Sequence, residues 1–93
     1  MEGFKLPTLS MFYGILIRMF AEFNSQHNLP HIHAKYNEYE IVITLDGTIL
    51  EGDFPKKQLK MVEAWLAIHE DELNANWTLI SSGEPYFKIE PLR

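Results

Sequence analysis

The segment from His31 to Phe54 constrains the fold most, because two turn signals cut it into three runs whose pairing can be checked. Asp46-Gly47 is a strong hairpin signal, since a two-residue type I′ turn needs positive φ at both central positions. Asn37-Glu38 marks a second two-residue turn. Strands are therefore expected over 31–36, 39–45 and 48–54. The first turn pairs Tyr36 with Tyr39, Ala34 with Ile41 and Ile32 with Ile43. The second pairs Leu45 with Thr48 and Ile43 with Leu50. These residues share one nearly apolar face, which belongs against a core. The other face carries His31, Thr44 and Ile49 in one row, then His33, Val42 and Glu51, then Lys35, Glu40 and Asp53. A one-residue slip would mix the two sets, so the hairpins support each other.

The flanking segments complete the plan. Met11 to Ala21 is rich in aromatic and β-branched residues and reads as one further strand, the first of a four-stranded antiparallel meander. Pro55 suits the first turn of a helix, where its missing N–H costs nothing. From there Leu59, Val62, Leu66, His69, Leu73, Trp77 and Ile80 recur at helical spacing, with Trp65 and Ile68 widening the stripe. The pattern runs to about Ser81, with a break expected near Glu70-Asp71, and Ser82-Gly83-Glu84-Pro85 stops it. Tyr86 to Ile89 is read as a short extended tail. The expectation is a single α+β domain over 1–93, a four-stranded meander covered on one face by one or two C-terminal helices.

Composition excludes several classes. The absence of cysteine rules out disulfides and thiolate chemistry and suits a reducing cytoplasm. The run from Met11 to Ala21, broken by Arg18, falls far short of the roughly 20 residues a membrane helix needs, so no membrane contact is expected. A net charge of −5 weighs against broad nucleic-acid binding, though not against a local basic patch.

Chemistry concentrates in His27-Asn28-Leu29-Pro30-His31-Ile32-His33-Ala34-Lys35. Strand alternation sets His31, His33 and Lys35 side by side. Histidine titrates near pH 6.5, so a close pair can hold one protonated and one neutral ring for acid–base work on a phosphodiester such as RNA. His31 and His33 are the catalytic candidates, with His27, Arg18 and Lys35 in support. A His-x-His metal site is an alternative, but it needs a third ligand. Glu51 sits roughly 10 Å away across two strands, which leaves His27. No metal or cofactor is expected to be needed for folding, because the apolar pattern already supplies a core. Lys56, Lys57 and Lys60 at the helix start could receive an anion, although a solvated helix end explains them as well. Within the strand from Met11, Phe12, Leu16 and Phe20 share a face with Arg18 that the helices cannot cover, leaving it to the tail from Tyr86 to Ile89 or to another protein. That makes them an interface candidate for a homodimer or a cognate small protein.

Leu6-Pro7-Thr8-Leu9-Ser10, Phe12-Tyr13-Gly14-Ile15 and Ile17-Arg18-Met19 resemble the opening of the bacterial family called domain of unknown function 4160. The likeness continues through His27-Asn28-Leu29-Pro30-His31-Ile32-His33-Ala34, Tyr36, Glu38-Tyr39-Glu40, Trp65, His69, Trp77 and Ser82-Gly83-Glu84-Pro85. The resemblance implies a small bacterial cytoplasmic protein, often one half of a two-gene cassette similar to a toxin–antitoxin pair. It implies no catalytic residues. The leading expectation is thus the toxin-like member of such a pair, acting on RNA or translation through the histidine face. A non-enzymatic binding module is the alternative.

Overall fold

In a computed structural model, which describes residues 7–21 and 29–93, the chain forms five strands and two helices. The strands are β1 (Thr8–Phe12), β2 (Ile15–Arg18), β3 (His31–Tyr36), β4 (Tyr39–Thr44) and β5 (Ile49–Asp53), and the helices α1 (Lys56–Ile68) and α2 (Glu70–Ser81). All neighbours are antiparallel in the order β1-β2-β3-β4-β5. The α+β meander with two C-terminal helices is as expected, but the sheet has five strands rather than four.

The extra strand arises at Tyr13-Gly14. Both residues hold positive φ, 48° and 79°, so the chain reverses within the run expected to be one strand. Phe12 pairs with Ile15 and Met11 with Leu16, and a register shift between Thr8 and Ser10 inserts Leu9. The reversal also redistributes the faces. Phe12 turns into the core, only 5% exposed, with its ring centroid 5.4 Å from that of Trp65. It therefore leaves the interface face proposed for it, whereas Leu16 and Phe20 remain half-buried.

The β3–β4 register is as expected from Tyr36↔Tyr39 to His31↔Thr44. The next hairpin differs in detail. Thr48 lies opposite Thr44 (Thr44 N–H to the Thr48 carbonyl, 2.9 Å), so the loop holds three residues, with Gly47 at φ 97°. Ile43 then faces Ile49, not Leu50. A second irregularity absorbs Leu50 and restores Val42↔Glu51 and Glu40↔Asp53. The carboxylate of Asp46 fastens this loop by accepting hydrogen bonds from the hydroxyls of Thr44 and Thr48 and from the Thr48 N–H. These bonds hold its pKa below the usual 3.8, the Thr44 hydroxyl contributing most.

Pro55 acts as the N-cap of α1, one residue before the first turn. The helix breaks at His69 (φ −109°, ψ 27°), so Glu70, Asp71 and Glu72 become the first turn of α2, where acids complement the helix dipole. Glu84 N–H to the Leu79 carbonyl and Gly83 N–H to the Ile80 carbonyl close α2 in a Schellman motif. Val62, Trp65, Leu66 and Leu73 cover the inner sheet face of Ile15, Ile17, Ile32, Ala34, Ile41 and Ile43. At roughly 1.5–3 kcal/mol for each large apolar side chain buried, this layer is the main source of stability. The segment after Gly83 finishes the core. Ile89 is 4% exposed, and its N–H donates to the Leu9 carbonyl at 2.9 Å. Trp65 Nε1 donates to the Glu90 carbonyl, while the buried Asn76 amide brackets Phe87 through two bonds of 2.8 and 2.9 Å.

Candidate functional site

The outer face of the sheet carries the histidines, and it treats the two of them differently. His31 is fully buried, and its Nδ1 lies 2.7 Å from the Leu29 carbonyl. A carbonyl can only accept, so Nδ1 holds a proton, and in the neutral ring the lone pair sits on Nε2. Its ring centroid is 5.1 Å from Trp77 of α2 and 5.4 Å from His33. His33 is half-buried and stacked on Phe20 at 4.2 Å and 14°. Phe20, His33, His31 and Trp77 thus form a continuous run of four rings.

The surroundings decide what this run can do. Arg18 is the cross-strand neighbour of His33, and its buried Nε has no hydrogen-bond partner among the described residues. Lys35 lies one row on, between Leu16 and Glu40, and donates from Nζ to the Asn37 carbonyl at 3.1 Å. A shallow cavity of about 320 Å³ opens beside His33, lined by Glu40, Val42 and Glu51. Glu40 and Glu51 thus share a cavity with His33, while His31 is fully buried beside it. Among the described residues, no three histidine, aspartate or glutamate side chains converge as a metal would require. His27, the third ligand named from the sequence, lies outside the described residues.

The strand, hairpin and helix run that builds this face is also what the family profile recognises. The profile named Domain of unknown function (DUF4160) matches residues 14–78. The chain belongs to this family. No curated protein and no solved structure matches it. The match to DUF4160 spans β2 through most of α2, including His31, His33, Trp65 and Trp77, while β1 and the segment after α2 lie outside it. No helix among the described residues of this DUF4160 protein is long and apolar enough to cross a membrane.

The remaining candidates scatter. Lys56, Lys57 and Lys60 are exposed on α1, a helix packed on the inner face, and so do not join the histidines. Leu16 and Phe20 sit on the outer face with Arg18, but their companion there is Met11 rather than Phe12. Met11 and Tyr13 are 60% and 59% exposed, and sequence reading passed over both because it placed them inside an unbroken strand. Asn76 was also missed, although a polar residue three positions after Leu73 on an apolar stripe is a signal for a buried amide with fixed partners.

Proposed function

We propose that this DUF4160 protein is the non-enzymatic, partner-binding member of a two-protein, toxin–antitoxin-type pair. It holds a small cognate protein on the open end of its outer sheet face. The observation that carries the reading is the exposure of Met11 and Tyr13 beside half-buried Leu16, with Arg18 and Lys35 at the rim. An apolar patch edged by polar groups is a usual mark of an interface. The two-gene arrangement implied by the family resemblance supplies the partner. Co-expression with the product of the adjacent gene tests this: the pair should co-purify, and Leu16→Asp should abolish it. Co-purification unchanged by Leu16→Asp would sink this surface. A chain that dimerises alone and disperses on Leu16→Asp would make a second copy the partner.

A second reading, acid–base action on RNA by a toxin-like protein, draws support from the Arg18 guanidinium cross-strand from His33, a cation suited to a phosphate. Under this reading, induced expression of the chain alone arrests growth, and folded His33→Ala relieves the arrest. Normal growth on induction would discard it.

A further inference from the structure

The solvent side of α1 carries its charges in a definite order. Lys56, Lys60, Glu63, Ala67 and Glu70 recur at spacings of four and three, so they form one exposed stripe that runs along the helix into the start of α2. The cations occupy the first half of the stripe and the acids the second. Lys57 widens the basic half and Asp71 the acidic half. Among the described residues, none of these side chains forms an ion pair within the chain, although Lys60 and Glu63 stand three residues apart, where a pair could form.

This order works against α1 taken alone. Its first turn holds no acid and its last no base, so the lysines meet the positive end of the helix dipole. Packing against the sheet does not relieve this, because the helix buries Val62, Trp65 and Leu66 and turns the charged stripe away. The acidic half is also recessed. Glu63 and Glu70 join Asp46, from the loop after β4, around a cavity of about 410 Å³ with Leu45, Leu66 and Ala67 beneath them. Three carboxylates above apolar surface suit the stem and ammonium of a lysine. Within one chain Lys56 lies about 20 Å along the helix from Glu70, out of its reach.

We infer that α1 is the docking surface for a second copy of this chain, the two helices lying antiparallel about a twofold axis. Antiparallel packing sets the lysines of one copy over the carboxylates and the cavity of the other, and the twofold repeats every such pair. Each helix dipole then also runs against its neighbour's. Ala64 and Ala67 are small and exposed, so the helices can approach closely, and the lysine stems cover Ile68, 65% exposed beside the stripe. A pair of helices this short buries less area than a permanent dimer needs, so the association is weak and reversible. The inference does not rest on the outer-face reading above, because α1 covers the opposite face of the sheet.

Sedimentation equilibrium on the whole chain tests this. Wild type should dimerise reversibly at concentrations up to about 1 mM, and less tightly in about 0.5 M salt than in about 0.05 M. Lys56→Glu with Lys60→Glu, and separately Glu63→Lys with Glu70→Lys, should each weaken self-association at least about tenfold. The first of these should melt no lower than wild type, since acids suit a helix start. Mixing the two double variants should restore a one-to-one complex, one then bearing an acidic stripe and the other a basic one. If either double variant fails to fold, the single changes Lys60→Gln and Glu63→Gln should each weaken the dimer in its place. Leu16→Asp should leave the dimer intact. A wild type that stays monomeric, variants that dimerise as well as wild type, or a mixture that stays monomeric would overturn the assignment. So would a dimer that disperses on Leu16→Asp, which would put the second copy on the outer face.

Discussion

The outer sheet face has two ends that invert the usual relation between polarity and burial. At one end His31, Val42 and Thr44 are as closed as the core, with His31 fully buried. At the other, Met11 and Leu16 keep apolar surface in solvent or half in it. Both ends belong to one pleated surface, so strand alternation cannot account for the difference. What closes the first end is delivered from elsewhere: Trp77 from α2 and Phe20 from beyond β2. Among the described residues, Lys35 and Glu40 continue the row of Met11 and Leu16, with Arg18 in the next row. The histidine pair is thereby divided, one ring fully buried and the other half-buried against Phe20.

Removing the cover should have the largest effect. Trp77→Ala should cost about 3 kcal/mol and raise hydrogen exchange at His31 and Thr44. Unchanged exchange there would mean that α2 is not what closes that end. His31→Ala should cost about 2 kcal/mol, through lost packing and the freed Leu29 carbonyl. His33→Ala should cost less than about 1 kcal/mol. Equal costs in chemical denaturation would erase the distinction between the two rings. At the open end, Leu16→Asp should cost about 1 kcal/mol, through half a leucine's burial, while removing partner binding, as read by melting and co-purification.

The smallest effect concerns Asp46, which fastens the loop after Thr44 at the closed end. Its carboxyl is held below 3.8 by the hydroxyls of Thr44 and Thr48, so its contribution is fully present above pH 3.8. That contribution is lost as pH falls through the lowered folded value. Wild type should therefore melt slightly above Asp46→Asn near neutrality, with the gap closing under acid. A gap constant with pH would dismiss the charged hydrogen bonds as its source.

How much of this was legible varied with the range of the interaction. The β3–β4 register, the break before α2 and the stop at Gly83 follow from neighbours in sequence, and each was readable. The Tyr13-Gly14 reversal was not, because a bulky aromatic at φ 48° contradicts its own preference and the surrounding residues favour strand. Gly14 was the one hint. Asp46-Gly47 announced a hairpin without separating two loop residues from three, since the dipeptide serves both turns. The burial of His31 was out of reach because it depends on Trp77, whose position is set by how α2 packs. The same distance hid the capture of Phe87 by Asn76.

The bond between Ile89 and Leu9 has a kinetic consequence. Every pairing within the sheet joins adjacent strands, so the meander can assemble by short loop closures that are fast and cheap in entropy. Joining Ile89 to Leu9 instead draws nearly the whole length of the domain into a ring, and the indole of Trp65 finds its acceptor at Glu90 only when that ring closes. This step should therefore come last in folding, with the Trp65 indole reaching its acceptor only after the sheet has paired.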